Sequence, residues 1–217
     1  HYTGMKKENQ AITRLTNSKS KVSSHYLIKN NGEILTLVPD LYVAWHAGIS
    51  SWKNYKSINK YSIGIEISNP GHEYSYKKFS KEQVKSIIKL STYLIKKYNI
   101  KPNFILGHSD IAPDRKKDPG EKFPWKYLSK NKIGHWHNLN EKKLFKKRNL
   151  TEGKNEKIKF IKNLYEIGYP KNILINKYKY SKLLTTAFQR RFRQELVNGI
   201  IDQECLIISN NLAKNLK

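Results

Sequence analysis

Two side chains with metal-binding chemistry lie in one stretch of the chain, from Gly107 to Gly120. His108 follows an apolar run, and Asp118 comes ten positions later in a turn rich in proline, aspartate and glycine. Zinc accepts a neutral imidazole and a carboxylate, and a catalytic zinc site needs three such protein ligands with one position left for water. The stretch is therefore a candidate source of two zinc ligands, although a hydrogen-bonded histidine beside an ordinary Asp-Pro-Gly turn explains the same spacing.

Two further residues could complete such a site. His1 begins the sequence His-Tyr-Thr-Gly and is the candidate third ligand; an untethered terminus or the remnant of a tag is the alternative. Glu66 lies within residues 61–68, where apolar and polar residues alternate strictly, as in a half-buried strand. Its carboxylate is then on the polar face, opposite three isoleucines. A role in proton transfer and a plain surface carboxylate are both open at this point.

A β-sheet is the first element that must position these residues. Residues 22–29 and 33–38 flank Asn31-Gly32, a dipeptide typical of the two-residue primed turn of a β-hairpin. The apolar run at residues 104–106 predicts a further short strand that ends just before His108. Together with the alternating strand that carries the glutamate, these runs predict a sheet.

A helix is expected between the last two strands. Ser80 and Gln83 form a capping-box pattern, which is typical of a helix start. The helical spacing of apolar residues ends near Asn99, ahead of Pro102, whose ring disfavours helical geometry in the residue before it. Strand, helix and strand in this order indicate an α/β fold with a mixed central sheet flanked by helices.

The composition changes after residue 128, and a second unit is expected there. The chain becomes rich in Lys and Asn and then shows three amphipathic helical patterns, the last of which begins at Asp202 as its cap. Three short helices of this kind predict a small three-helix bundle. We expect a catalytic domain at residues 1–137, a linker at 138–156 and a helical domain at 157–217.

Composition limits the classes of protein to which the chain can belong. Its 42 Lys and Arg against 17 Asp and Glu give a net charge of +25, which favours an anionic polymer or surface as partner. Hydrophobic residues make up 38% and aromatic residues 12%, enough for a folded core. No apolar run approaches the roughly 20 residues of a membrane span. A single cysteine excludes an intramolecular disulfide and a Cys-rich zinc module.

Five motifs follow one another along the chain in the order found in one known family. They are His1-Tyr2-Thr3-Gly4-Met5, Val22-Ser23-Ser24-His25-Tyr26-Leu27-Ile28, Ala44-Trp45-His46-Ala47-Gly48, Ser62-Ile63-Gly64-Ile65-Glu66-Ile67 and the stretch from Gly107 to Gly120. With them the chain resembles the zinc-dependent N-acetylmuramoyl-L-alanine amidases, relatives of phage amidase lysozymes and animal peptidoglycan recognition proteins. The resemblance extends from His1 to about Trp136.

The tail carries a second resemblance. The sequences Thr186-Ala187-Phe188-Gln189-Arg190 and Asn198-Gly199-Ile200-Ile201-Asp202 are similar to those of three-helix peptidoglycan-binding modules. Together the two resemblances point to the two-domain AmiD-type subgroup of the family. They imply the amidase/peptidoglycan recognition protein fold, with the first strand of the sheet lying before His1, and a C-terminal peptidoglycan-binding domain.

The resemblance also implies roles for the residues singled out above. One Zn²⁺ ion per chain would be held by His1, His108 and Asp118. Two neutral imidazoles and one carboxylate leave such a unit positively charged, which favours ionisation of water. Glu66 would take the proton from the attacking water and return it to the departing amine.

Two more site residues are implied by the alignment with the family. Lys116 would stabilise the oxyanion formed when the amide carbonyl is attacked. It lies between Arg115 and Lys117, so a solvated run of charge is the alternative reading of its residue type. His46 would line the substrate cleft, with structural packing as the alternative.

The implied function is hydrolysis of the amide bond between N-acetylmuramic acid and L-alanine of the stem peptide, in peptidoglycan or in (anhydro)muropeptides. The alternative is a non-catalytic peptidoglycan-binding protein on the same fold, although a pure binder typically lacks a zinc ligand. The Lys/Tyr run at residues 177–180 has no nucleic-acid-binding motif beside it, so no specific nucleic-acid partner is expected.

We expect a monomer whose partner is peptidoglycan or a muropeptide. The expected location is the periplasm or cell envelope, with membrane anchoring through residues that would precede His1. A cytoplasmic recycling enzyme is the alternative.

Overall fold

The central sheet is small and mixed. The computed structural model describes residues 1–216, and its strands are β1 (Tyr26–Ile28), β2 (Ile34–Thr36), β3 (Ser51–Trp52), β4 (Tyr55–Lys56) and β5 (Ile65–Ile67). Strand β1 is antiparallel to β2 on one side and parallel to β5 on the other, while β3 and β4 form a separate hairpin. Tyr2 forms a parallel bridge with Ile67, so residues 1–3 run along the other edge of β5.

Helices surround this sheet and make up the C-terminal part of the chain. They are α1 (Glu8–Thr16), α2 (Lys81–Tyr98), α3 (His108–Ile111), α4 (Trp125–Lys130), α5 (Glu141–Phe145), α6 (Lys154–Ile167), α7 (Lys177–Phe192) and α8 (Gln203–Lys214). The predicted fold class, a mixed sheet flanked by helices, is confirmed. Among residues 1–216, no helix combines the length and the apolar character that crossing a membrane requires.

The predicted hairpin is present, but its turn differs from the expected one. Lys29 N–H donates to the Glu33 carbonyl oxygen at 2.8 Å, which leaves three residues in the loop. Of the Asn31-Gly32 pair only Gly32 has a positive φ, 86°. A three-residue loop with glycine in the left-handed region is the next most common hairpin connection after the two-residue primed turn. The turn residues were therefore identified correctly and the turn type was wrong.

Helix α2 forms as the sequence predicts. Its capping box is complete, since the Ser80 hydroxyl accepts from Gln83 N–H at 3.1 Å and the Gln83 amide oxygen accepts from Ser80 N–H at 3.0 Å. The helix ends at Asn99, which takes the left-handed conformation. Its buried face, with Ile87 and Leu94, packs in one cluster with Ile28 and Ile67 of the sheet.

The strand predicted at residues 104–106 is not formed. Pro102–Phe104 make a 3₁₀ turn, and Phe104 is 37% exposed. The carbonyl oxygen of Ile105 accepts a hydrogen bond from Arg191 Nη2 at 3.0 Å. A side chain from α7 therefore occupies a backbone group that a strand would offer to a neighbouring strand.

The three predicted C-terminal helices are present as α6, α7 and α8, and residues 154–214 are called the helical module below. Asp202 caps α8, its carboxylate accepting from Cys205 N–H at 3.0 Å. The segment predicted as a linker, residues 138–156, contains α5 and the first turn of α6. The domain boundaries themselves stay a prediction.

The core of the helical module extends into the N-terminal part of the chain. Phe160 and Phe188 are fully buried at its centre, with their rings 5.2 Å apart and nearly perpendicular. The same buried cluster contains Ala47, Trp52 and Ile111, which lie outside the module. The module and the sheet domain therefore share apolar packing and do not face each other as separate units.

The capping box gives a test of the fold. Ser80→Ala removes the acceptor for Gln83 N–H, and we expect a loss of about 1 kcal/mol in the free energy of unfolding. Urea unfolding measures it. Thr92→Ala, on the exposed face of the same helix, is the control and should change stability by less than about 0.5 kcal/mol. Equal effects of the two substitutions would show that the cap does not stabilise α2.

Candidate metal centre

Three potential ligand atoms from distant parts of the sequence meet at one point. His1 Nδ1 lies 2.9 Å from His108 Nδ1 and 2.9 Å from Asp118 Oδ2, and His108 Nδ1 lies 3.2 Å from the same carboxylate oxygen. This is the only group of three or more His, Cys, Asp or Glu residues suited to a metal that is found among residues 1–216. The structure thus brings together the three residues predicted as ligands.

Backbone hydrogen bonds hold the segments that carry these ligands. The backbone nitrogen of His1 donates to the Ile65 carbonyl oxygen at 2.9 Å, which places His1 beside β5. His108 is the first residue of α3, and Ser109 N–H donates to the Asp118 carbonyl oxygen at 2.9 Å. The second and third ligands are therefore fixed to each other through the main chain.

The far nitrogen of each histidine ring has its own partner. His108 Nε2 lies 2.9 Å from the Ala47 carbonyl oxygen, which can only accept, so this nitrogen carries the proton. His1 Nε2 lies 3.2 Å from His46 Nδ1, and His46 Nε2 lies 3.3 Å from the Ser62 hydroxyl, which donates onward to the Ile58 carbonyl oxygen at 2.6 Å. In this chain His46 donates to Ser62 and accepts from His1, so the His1 proton is on Nε2. The Nδ1 atoms of His1 and His108 are then both unprotonated, and their lone pairs point at the carboxylate of Asp118.

This donor set fits a zinc ion. Two imidazole lone pairs and a carboxylate oxygen repel one another unless a cation lies between them. Zinc bonds to such atoms at about 2.0–2.2 Å, which puts tetrahedral ligands roughly 3.3 Å apart. The observed separations of 2.9 to 3.2 Å are close to that value. Three protein ligands also leave a fourth position open, as in catalytic zinc sites.

The pKa values of the ligands reflect their close approach. Burial lowers the pKa of His1, but the hydrogen bond to Asp118 and the charge of Glu66 more than offset it, and the net pKa is raised. Burial and the neighbouring His1 lower the pKa of His108 to about 4. Burial raises the pKa of Asp118, yet its close contacts with both histidines hold it well below its usual range.

Glu66 is a half-buried residue, and one oxygen of its carboxylate is buried without a hydrogen-bond partner. It lies on β5 opposite Leu27 of β1, and its Oε2 has no partner among the described residues. Burial raises its pKa to about 7, although the charges of His1 and Lys116 act to lower it. A carboxyl group with this pKa both accepts and releases protons near neutral pH.

Glu66 and Lys116 line one cleft beside the ligands, with a volume of about 360 Å³. Of the three consecutive basic residues, Arg115 donates to the Ile49 carbonyl oxygen at 2.7 Å and Lys117 pairs with Glu73 at 3.7 Å. Lys116 is half-buried, and its charge acts on both His1 and Glu66. Lys116 therefore lines the cleft that also contains the candidate ligands His108 and Asp118, and its predicted oxyanion role stays a prediction.

His46 lies against the metal cluster. Its ring centroid is 5.3 Å from that of His1, and burial together with the neighbouring histidines lowers its pKa to about 2. A neutral His46 can accept the hydrogen bond from His1 Nε2–H. It also lines the cleft, so its predicted contact with substrate stays a prediction.

His25 belongs to the support of this region. It is 1% exposed, its Nδ1 accepts from Gly64 N–H at 2.9 Å, and its Nε2 lies 2.9 Å from the Tyr42 carbonyl oxygen. Both ring nitrogens are therefore occupied by backbone groups. His25 therefore links the backbone at Gly64 to the backbone at Tyr42.

Sequence reasoning missed how the ligand rings are oriented. It assigned no role to the Ala47 carbonyl or to Ser62. A Cβ at Gly64 would lie 2.3 Å from His46 Cγ. The glycine is therefore needed for the close approach of the His46 ring. The motif Ala44-Trp45-His46-Ala47-Gly48 was noticed, but a sequence pattern does not show which carbonyl meets which ring.

Gly64→Ala tests this packing. The added methyl group would displace His46 and remove the acceptor for His1 Nε2–H, so we expect Zn²⁺ affinity to fall by roughly tenfold or more. Competition with a chromophoric chelator measures the affinity. Gly153→Ala is the control, because a Cβ there approaches only the end of the Glu156 side chain. Unchanged affinity in Gly64→Ala would contradict the orienting role of His46.

Glu66→Gln tests the burial of the carboxylate in protein stripped of metal. The pKa of Glu66 is about 7 in the folded state against 4.5 as its usual value. Between pH 4.5 and pH 7 the folded state therefore binds more protons than the unfolded state, and the wild type loses stability as pH rises through this range. Relative to wild type, the variant should gain about 2–3 kcal/mol between pH 4.5 and pH 8. Urea unfolding in chelator measures the difference. Glu166→Gln, at an exposed carboxylate of α6, should show no such trend; a flat profile for Glu66→Gln would contradict the raised pKa.

The sequence and the fold of the chain are similar to those of known proteins. Residues 1–121 match the N-acetylmuramoyl-L-alanine amidase family. The N-acetylmuramoyl-L-alanine amidase AmiD of Escherichia coli is 34% identical, over 98% of this chain and 80% of its own length. The structure of E. coli AmiD with the substrate anhydro-N-acetylmuramic acid-L-Ala-D-gamma-Glu-L-Lys has a TM-score of 0.88 at 33% identity, and covers 99% of this chain and 87% of that chain.

A second solved structure covers the whole chain. AmpDh3 from Pseudomonas aeruginosa in complex with anhydromuramic pentapeptide has a TM-score of 0.86 at 28% identity, and covers 100% of this chain and 90% of that chain. The family match spans more than half of the chain, and AmiD extends the similarity to nearly its full length. The chain belongs to the N-acetylmuramoyl-L-alanine amidase family.

Proposed function

We propose that this protein is a zinc-dependent amidase that cleaves the bond between N-acetylmuramic acid and the L-alanine of a stem peptide. One observation carries the proposal. The Nδ1 atoms of His1 and His108 and a carboxylate oxygen of Asp118 converge within 3.2 Å of one another, in a site that also contains a buried, high-pKa glutamate. A metal site with one open position and a proton acceptor beside it is the arrangement that hydrolysis of an amide requires.

His1, His108 and Asp118 would hold the zinc ion. When bound, zinc supplies a Lewis acid that polarises the amide carbonyl and makes water more acidic. The second nitrogens of the two histidines keep their protons and their partners, Ala47 and His46, so the rings need not turn to accept the ion. Both Nδ1 atoms must be unprotonated to ligate, so zinc binding would depend on pH.

Glu66 would transfer the proton. It takes one proton from the attacking water as the new C–O bond forms, and it gives that proton to the alanine nitrogen as the C–N bond breaks. The second water proton stays on the new carboxyl group, so the products are the lactyl carboxylic acid of the sugar and the free amine of the peptide, and the acid then releases its proton to solvent. Because burial raises the pKa of Glu66 to about 7, the same group can carry out both steps near neutral pH.

Lys116 would stabilise the negative charge on the carbonyl oxygen during the attack. Its neighbours Arg115 and Lys117 have other partners, the carbonyl of Ile49 and the carboxylate of Glu73. A cation already lining the cleft needs little reorganisation when the charge develops. This position of Lys116 supports the role that its alignment with the family implies.

Anhydromuropeptides are the first substrates to test, because AmiD and AmpDh3 are the relatives solved with ligands of that kind. Stem peptides carry carboxylates, and a protein of net charge +25 attracts them at long range. We further propose that the helical module contributes to binding of polymeric peptidoglycan and that the protein acts in the cell envelope. Both parts rest on the resemblance of its sequence to wall-binding modules and two-domain amidases.

A non-catalytic peptidoglycan-binding protein is the second candidate from the sequence. The complete donor set and Glu66 argue against it, because a buried carboxylate oxygen without a hydrogen-bond partner lowers stability and has no use in a protein that only binds. A direct measurement of turnover is needed to distinguish a binding protein from an enzyme.

Hydrolysis of an anhydromuropeptide, followed by chromatography of the released peptide, tests the proposal. Chelation should abolish turnover and added Zn²⁺ should restore it. Glu66→Gln should keep one zinc per chain and lose about 10²- to 10⁴-fold in turnover. His108→Ala should lose both metal and turnover, whereas Glu166→Gln should retain both. Release of peptide by fully chelated protein, or full turnover by Glu66→Gln, would overturn the mechanism.

A further inference from the structure

A buried ion pair joins the helical module to the segment that carries the second ligand. Arg191 of α7 donates from Nη1 to Asp110 Oδ2 at 2.6 Å, and the two side chains are 4% and 1% exposed. Asp110 lies two residues after His108, in the four-residue helix α3. None of the roles proposed above uses this pair.

The Asp110 carboxylate has three donors. Besides Arg191, it accepts from Gly107 N–H at 2.8 Å and from the Tyr169 hydroxyl at 2.9 Å. The bond from Gly107 closes the first turn of α3, immediately before His108. Two residues of the helical module therefore orient a carboxylate that in turn fixes the backbone from which the His108 ring projects.

Arg191 also fixes the chain ahead of this turn. Its Nη2 donates to the Ile105 carbonyl oxygen at 3.0 Å, and its guanidinium stacks on Trp125 with Cζ 4.2 Å from the ring centroid. A planar guanidinium can hold these positions at once, because its nitrogens donate in fixed, diverging directions. Arg191 therefore holds the chain on both sides of His108, at Ile105 before it and at Asp110 after it.

There is little room for His108 to shift without losing the metal geometry. A Cβ at Gly107 would lie 2.6 Å from Pro119 Cδ, so α3 packs directly on the residue that follows the Asp118 ligand. At its other end, Ile111 is buried in the same cluster as the core of the helical module. A displacement of α3 would therefore separate the ligand atoms of His108 and Asp118.

We propose that Arg191 and Tyr169 are positioning residues for the metal centre, acting through Asp110 to hold His108 in its ligating geometry. The helical module is then part of the site's support, in addition to any binding of peptidoglycan. The inference rests on the zinc site of the proposed function. Groups that orient a ligand from outside the metal's own ligand set commonly change metal affinity by about 10- to 100-fold when they are removed.

Arg193 offers a matched control. It lies two residues along the same chain segment, is fully buried and pairs with Asp202, so its loss also leaves a buried carboxylate without its main partner. Its contacts lie within residues 189–204 and do not reach α3. Arg193→Met should thus destabilise the module about as much as Arg191→Met without moving His108.

Zn²⁺ affinity in the full chain is the first measurement, by competition with a chromophoric chelator well below the unfolding temperature. Arg191→Met should bind Zn²⁺ about 10- to 100-fold more weakly than wild type, and Tyr169→Phe, which keeps its ring packed on Trp52, about threefold to tenfold more weakly. Arg191→Lys restores the charge but not both hydrogen bonds, so its affinity should be intermediate. Arg193→Met should stay within about twofold of wild type.

Nitrogen NMR of the histidine rings in metal-free protein is the second measurement. The wild type and Arg193→Met should show His108 protonated at Nε2, as the bond to Ala47 requires, and Arg191→Met and Tyr169→Phe should show a mixture of ring tautomers. This readout needs no metal, so it tests the positioning role even if the wild type binds no zinc. Absence of zinc binding in the wild type would refute the proposed function but not the positioning role. The inference would be overturned if Arg191→Met and Tyr169→Phe both kept the wild-type tautomer of His108 and the wild-type Zn²⁺ affinity. If Arg191→Met does not fold, the result for Tyr169→Phe is the test.

Discussion

The mutual repulsion of three buried acceptors is the constraint on which the rest of the structure depends. The lone pairs of His1 and His108 and the carboxylate of Asp118 can be held together only if each is fixed from behind. The carbonyl of Ala47 and the ring of His46 fix the two imidazoles, and the main-chain bond from Ser109 fixes Asp118. The cluster is therefore arranged for a cation before any cation arrives, and this preorganisation lowers the cost of binding.

The same region concentrates groups that work against stability. Glu66 has a buried oxygen without a partner, His46 is held neutral among other histidines, and the charge of Lys116 acts on His1. In a site without function, substitution would remove such strains. Their presence in one cleft is typical of a catalytic centre, where a group must be ready to change its protonation state. Burial of apolar side chains in the two surrounding clusters offsets the loss of stability that these groups cause.

Local signals in the sequence predicted the elements that depend on local chemistry. The capping box at Ser80, the cap at Asp202 and the glycine turn at residue 32 are each fixed by neighbours within a few positions. The prediction of a strand at residues 104–106 was wrong, because the Ile105 carbonyl accepts a hydrogen bond from Arg191, more than eighty positions away. Likewise the ligand residues were found through family motifs, whereas the partners that orient their rings are side chains and carbonyls that only the folded chain brings together.

The shared core limits how this amidase can be shortened or recombined. Cutting the chain after residue 137 would remove both module-borne donors of Asp110 and uncover the apolar surfaces of Trp52 and Ile111. A stand-alone catalytic fragment would then need a neutral residue at position 110 and polar ones in place of the uncovered core. Exchange of the module for a different domain would meet the same obstacle, so the two parts of this chain are expected to change together in evolution.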